Sequence, residues 1–142
     1  MELRGLTIVP AEKAIFSILT ADGALAALVD DRVFPLQRRQ GTALPAVVYQ
    51  QISGPRAHDL TGPIGWVESR YQITCWAATY TGAGDVADAV REAIDGNSGT
   101  TASVDIDHIF VVDEGDMPSL AAGNQQLEMY GKRLDIEVVF RE

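Results

Sequence analysis

The sequence predicts an α+β fold, one domain in which an antiparallel or mixed sheet of four to five strands carries two helices packed on one face. Three observations lead there. Residues Pro10 to Leu19 and Asp85 to Asp95 space their apolar side chains at helical intervals, whereas other stretches alternate apolar and polar residues with the period of two expected of half-buried strands. Their order is helix, three strands, helix, two strands. A chain of 142 residues, 46% hydrophobic and 22% charged, is long enough to bury a core without a metal or disulfide staple and short enough to make one domain over residues 1–142.

The first helix follows from Ala11, Ile15, Ile18 and Leu19, with Pro10 in the first turn, where its missing N–H is harmless. Ala21-Asp22-Gly23 interrupts it, and Asp22 is placed to cap a short helical segment carrying Leu25, Leu28 and Val29. Val33-Phe34-Pro35-Leu36 reads as a short strand that proline confines to an edge. After a polar loop from Gln37 to Thr42, Ala46 to Ile52 reads as a strand with Val48 and Ile52 on one face and Val47 and Tyr49 on the other, so both faces require cover.

Gly65 to Ala78 gives the longest strand signal, with Val67, Tyr71, Ile73 and Cys75 on one face and Glu68, Arg70, Gln72 and Thr74 on the other. Trp76 falls by parity on the polar face, where either a partner or a loop folded over the strand end would cover it. The second helix follows from Val86, Val90, Ala93 and Ile94 and stops at Asp95-Gly96-Asn97. Two strands close the chain. Val104, Ile106, His108, Phe110 and Val112 form the apolar parity of one, and Leu134, Ile136, Val138 and Phe140 that of the other, with Gly131 marking a bulge where it begins. The long connections Ser53 to Pro63 and Asp113 to Leu127 are expected to be loops that make contacts.

Charge and composition narrow the function. A formal net charge of −9 argues against a surface that grips phosphates, because nucleic-acid binding relies on clustered Lys and Arg that release counterions. DNA is either absent or slides past an acidic wall that repels its backbone. No apolar run is long enough to span a bilayer, the N-terminal stretch is too short for a signal peptide, and Cys75 has no partner in the chain, so the expected location is the cytosol or a virion.

Candidate chemistry is sparse. Gly82-Ala83-Gly84-Asp85-Val86-Ala87 fits the glycine-rich dinucleotide pattern, yet Asp85 and Asp88 set negative charge where a pyrophosphate would lie, and the preceding strand alternates instead of being apolar on both faces. The plain reading is a flexible start to a helix. Asp105, Asp107, Asp113, Glu114 and Asp116 lack the glycine of a calcium loop, since its sixth position is Phe110, and the last three read as a solvated turn. His58 and His108 have no zinc-like spacing, and no serine or cysteine sits in a nucleophile turn, so no catalytic residue, metal or cofactor is expected. Arg38, Arg39 and Arg56 are loop cations suited to salt bridges with a neighbouring subunit.

Over nearly its whole length the chain resembles the tail-completion proteins of long-tailed phages and gene transfer agents, also called tail-terminator, neck or head-tail joining proteins. The resemblance is carried by Ala14-Ile15-Phe16-Ser17-Ile18-Leu19-Thr20-Ala21-Asp22, Asp31-Arg32-Val33-Phe34-Pro35, Leu44-Pro45-Ala46-Val47-Val48-Tyr49-Gln50-Gln51-Ile52-Ser53, Tyr71-Gln72-Ile73-Thr74-Cys75-Trp76-Ala77, the helix Asp85 to Ile94, and Arg133-Leu134-Asp135-Ile136-Glu137-Val138-Val139-Phe140. None of these is a catalytic signature. The resemblance implies a non-enzymatic virion protein, a homohexameric ring that caps the tail tube, docks to the head connector or stopper protein, and lets DNA pass without sequence-specific binding. Six copies would carry about −54 in formal charge, which suits an acidic channel.

A ring closed by head-to-tail contacts needs two different patches on each subunit. From the residues, Tyr49 and Trp76 on sheet faces, the cations Arg38, Arg39 and Arg56, and His58 in the Ser53 to Pro63 connection are the expected contacts. Two other readings stay open: a small dinucleotide-binding protein using the Gly82-Ala83-Gly84 turn, and a dimeric adaptor with an exposed sheet edge.

Overall fold

The computed structural model describes residues 10–36, 43–54, 56–59, 62–121 and 128–141. Helix α1 (Pro10–Ala21) leads into α2 (Gly23–Val29), which Asp22 starts by accepting a hydrogen bond from Leu25 N–H at 2.9 Å. The short segment expected after Asp22 is thus a helix of its own. Strand β1 (Val33–Pro35) follows, then β2 (Ala46–Ser53), β3 (Arg56–Asp59), β4 (Gly62–Ala77), helix α3 (Tyr80–Ile94), β5 (Gly99–Thr101), β6 (Val104–Ala121) and β7 (Glu128–Arg141).

The strands form one sheet in the order β1-β2-β4-β7-β6-β5, with β3 pairing β4 beside β2. Among the described strands only β1 and β2 run parallel, Val33 opposite Val47, so the sheet is mixed. The α+β class and the single helical layer are as expected, but the described residues form seven strands and three helices instead of four to five and two. The extra strands are short. β3 and β5 span four and three residues and carry no alternation long enough to be read, because hydrogen bonding to long neighbours creates them.

Both expected contact loops prove to contain strand. β3 folds back on the start of β4, pairing His58 with Pro63. β6 continues past Asp113 to Ala121, where it still pairs with β7 through Asp116 to Lys132 and Ala121 to Glu128. The acidic residues Asp113, Glu114 and Asp116 therefore lie on a strand and not in a turn.

The helices cover one face. Ala11, Ile15 and Leu19 of α1, Leu25 and Val29 of α2, and Val86, Val90 and Ile94 of α3 join Val47, Tyr49, Tyr71, Ile73, Cys75, Leu134, Ile136, Val138 and Phe140 in one buried cluster. α1 lies beside both margins of the sheet, near β1 and near β5, so the sheet curls around that helix. The expected parity of β2, β4 and β7 is that of this core.

The parity of β6 is not. The register shifts between Ile106 and His108, so β6 takes two steps while β7 takes one, and the extra residue at Asp107 turns the following side chains over. Ile109 and Val111 face the core, while His108 and Phe110 face outward, and Val112 stands exposed at a second register shift, between Val111 and Asp113. The bulge expected at Gly131 lies on the opposite strand, where the register shifts between Met117 and Leu120.

Candidate assembly surface

The face of the sheet away from the helices is the surface on which the unexplained residues collect. Its two ends differ. Where β2 begins and β4 ends, Ala46, Val48, Thr74 and Trp76 are buried within the chain, as the double-faced pattern of β2 requires. Further along, apolar residues stand in water: Ile52 is 55% exposed, Phe110 47% and Val112 43%. Singly exposed apolar residues are ordinary, but Phe110 and Val112 are exposed two residues apart on one strand.

Charged side chains bind the strands together here. His108 has Nδ1 3.0 Å from Asp107 Oδ2 and Nε2 3.0 Å from Glu137 Oε1 across the β6–β7 pair, and its ring stacks on Phe110 at 4.4 Å with the planes 20° apart. The hydrogen bond with Glu137 is the chief reason that the imidazole pKa is raised, with Asp107 adding to it and partial burial opposing it. Arg133 reaches Asp135 at 2.8 Å and Asp113 at 3.3 Å. Its guanidinium fills the space above Gly115, where a Cβ would lie 2.9 Å from the nearest nitrogen.

Beside these pairs lies a depression of about 180 Å³ lined by Ile52, Arg70, Gln72 and Asp135 together with Tyr71. Arg70 is exposed and has no ion pair among the described residues, while Asp135 keeps one carboxylate oxygen buried and unbonded. This surface offers charge and apolar contact to a partner. A nucleophile placed beside a base is not present among the described residues. Cys75 is wholly buried and desolvation pushes its pKa up, so the thiol stays protonated. Nor does any group of His, Cys, Asp and Glu among them have an arrangement able to hold a metal ion.

The glycine pair is not a phosphate loop. α3 begins at Tyr80, five residues before the expected Asp85, because Thr79 caps it: Thr79 Oγ1 accepts from Gly82 N–H at 2.9 Å and Thr79 O from Ala83 N–H at 3.0 Å. Gly82 and Gly84 therefore sit inside the helix's first turns, and the amide that a pyrophosphate would need is already bonded.

Of the contact residues expected from the sequence, Tyr49 and Trp76 are 6% and 9% exposed, so their own chain buries both, Tyr49 in the core and Trp76 against Gly131. Arg56 and His58 belong to β3, on the margin of the sheet. Arg38 and Arg39 lie outside the described residues. Phe110 and Val112 were not foreseen as surface residues, because the alternation of β6 put them on its apolar face.

Comparison with known proteins adds a family. The profile described as tail completion protein gp17 matches residues 13–128. A chain from the solved structure titled "Virion of native gene transfer agent (GTA) particle" superposes with a TM-score of 0.69 at 20% identity, covering 96% of this chain and 100% of that one. No curated protein sequence matches. No described helix is long and apolar enough to cross a membrane.

Proposed function

Because the chain belongs to the tail completion protein gp17 family, and is thereby a structural protein of a phage-type tail, we propose that it is one segment of a homohexameric ring that caps the tail tube. The ring joins the tube to the head connector or stopper protein and leaves a hole through which DNA passes. The family match carries this reading, and the fold shared with a virion protein supports it. The work is mechanical, with no catalytic step, and the site lies at the junction of tail and head.

Physical features agree with that role. A net charge of −9 per subunit gives the wall of a passage that repels DNA instead of holding it. Arg56 and His58 on the β3 margin, together with Arg38 and Arg39, are the proposed contact residues, while Tyr49 and Trp76 hold the sheet beneath them in shape. Native mass spectrometry of the protein, alone and mixed with the tail-tube protein of the same particle, tests the reading. A species of about six subunits is expected. A strict monomer under both conditions overturns it, and a two-fold assembly would favour the dimeric adaptor.

A further inference from the structure

β6 pairs with β7 along nearly its whole length, but its other side is covered only at the start. β5 reaches from Val104 to Ile106, Gly96 and Asn97 bond the backbone of Ile109 at 2.7 and 2.9 Å, and the Asp95 carboxylate accepts from Val111 N–H at 2.9 Å. From Val112 onward, no described residue bonds that side of the strand. The far margin of the sheet is alike. β1 covers β2 only from Val47 to Tyr49, and beyond that the outer side of β2 and of β3 has no partner among the described residues.

An open strand side is a row of donors and acceptors ready to pair with another chain. This sheet has one such row on each margin, and the two rows differ, as a head-to-tail ring contact requires. Their charges also differ. The open stretch of β6 carries Asp113, Glu114 and Asp116; Arg91 is shared between Asp88 and Glu114 and Arg133 between Asp113 and Asp135, while Lys132 stands opposite Asp116, whose carboxylate also accepts from the Tyr80 hydroxyl at 3.1 Å. On the far margin, next to Asp31, Arg32 donates only to the carbonyls of Pro45 and Leu28, and one strand further in, opposite Ser53 of β2, Arg70 on β4 has no ion pair among the described residues. Arg56 and His58 stand there too, with Asp59.

We propose that the open stretch of β6, Asp113 to Met117, joins the β2–β3 margin of a second copy, so that neighbouring subunits share one continuous sheet. Main-chain hydrogen bonds set the geometry, and the carboxylates of one subunit meet Arg32 and Arg70 of the next, which have no carboxylate partner among the described residues. This rests on the ring reading and supplies its contact.

Paired cysteines test it. Neighbouring strands lie about 4.8 Å apart, within the Cα separation that a disulfide accepts. Asp113→Cys or Asp116→Cys on β6 is combined with Gln51→Cys, Ser53→Cys or Arg56→Cys on the far margin, and Cys75 is too buried to interfere. After oxidation of the assembled protein, at least one pair is expected to give a covalent ladder climbing past the dimer, while single-cysteine variants stay at the monomer on a denaturing gel. Variants that form rings by native mass yet cross-link in no combination overturn the shared sheet and leave the ring standing. Unsubstituted protein that forms no ring, with or without tube protein, overturns both.

Discussion

The ring of Trp76 occupies the place where a side chain on Gly131 would stand. A Cβ there would lie 2.6 Å from Trp76 Cζ3, 2.8 Å from Cε3 and 3.0 Å from the Cβ of Met117. The two residues are directly opposite in the β4–β7 register, so the glycine exists to let a large aromatic lie flat on the outer face of the sheet. Gly131→Ala must push the indole aside and is expected to cost about 1–3 kcal/mol, the range for overpacking. Urea unfolding of Gly131→Ala, Trp76→Leu and the double variant reads the coupling. A non-additivity of about 1 kcal/mol or more is expected, whereas strictly additive losses would show that the two residues do not meet.

The same pair shows what could and could not be read from the sequence. The parity of Trp76 was legible, because β4 alternates without interruption from Val67 to Ala77. What covers Trp76 was not, because its neighbour is a glycine some fifty residues away in sequence, and a missing side chain leaves no pattern. β6 fails for another reason. One inserted residue at Asp107 turns over the side chains from His108 to Val111 until a second register shift before Asp113 turns them back, and the alternation Ile106, His108, Phe110 looks equally regular in the wrong register. Residue periodicity thus fixed the helical face of the core, while bulges and three-residue strands, which depend on partners, fixed the outer face.

Gly84 tests the correction to the glycine motif. Nothing lies within 4 Å of a Cβ built on it, and it sits in a helix, where alanine loses less backbone entropy than glycine. Gly84→Ala is therefore expected to stabilise the protein by about 0.5–1 kcal/mol. Gly82→Ala should go the other way, since its Cβ would lie 2.9 Å from the Thr79 Oγ1 that caps the helix. Thermal unfolding of both variants decides it. Equal losses at the two positions would mean that both glycines are needed for a loop.

Tyr71 gives a third test. Its side chain is wholly buried, its hydroxyl has no hydrogen-bond partner, and burial, with the nearby carboxylate of Glu12 and the phenol of Tyr49, pushes its pKa up, so it remains neutral. A buried hydroxyl that bonds nothing opposes folding. Tyr71→Phe is expected to leave stability unchanged or to raise it by up to about 1 kcal/mol. A loss greater than that in urea unfolding would show that the hydroxyl is bonded in solution.

His108 makes stability depend on pH in a stated direction. The imidazole lies between Glu137 and Asp107, whose hydrogen bonds raise its pKa above the ordinary value of 6.5. A group whose pKa is raised on folding binds its proton more tightly in the native state, so the stabilisation is complete below the unfolded value. It is lost as the pH climbs from about 6.5 through the higher folded value, because the neutral ring donates to one carboxylate and leaves the other unbonded. Urea midpoints measured from pH 6 to pH 9 should therefore fall more steeply for the parent protein than for His108→Gln, since the ordinary carboxylates have finished titrating below that window. Glu137→Gln should remove most of the difference, because that carboxylate contributes the larger share of the shift. Parallel profiles for the parent and His108→Gln would mean that the histidine is not held between the two acids.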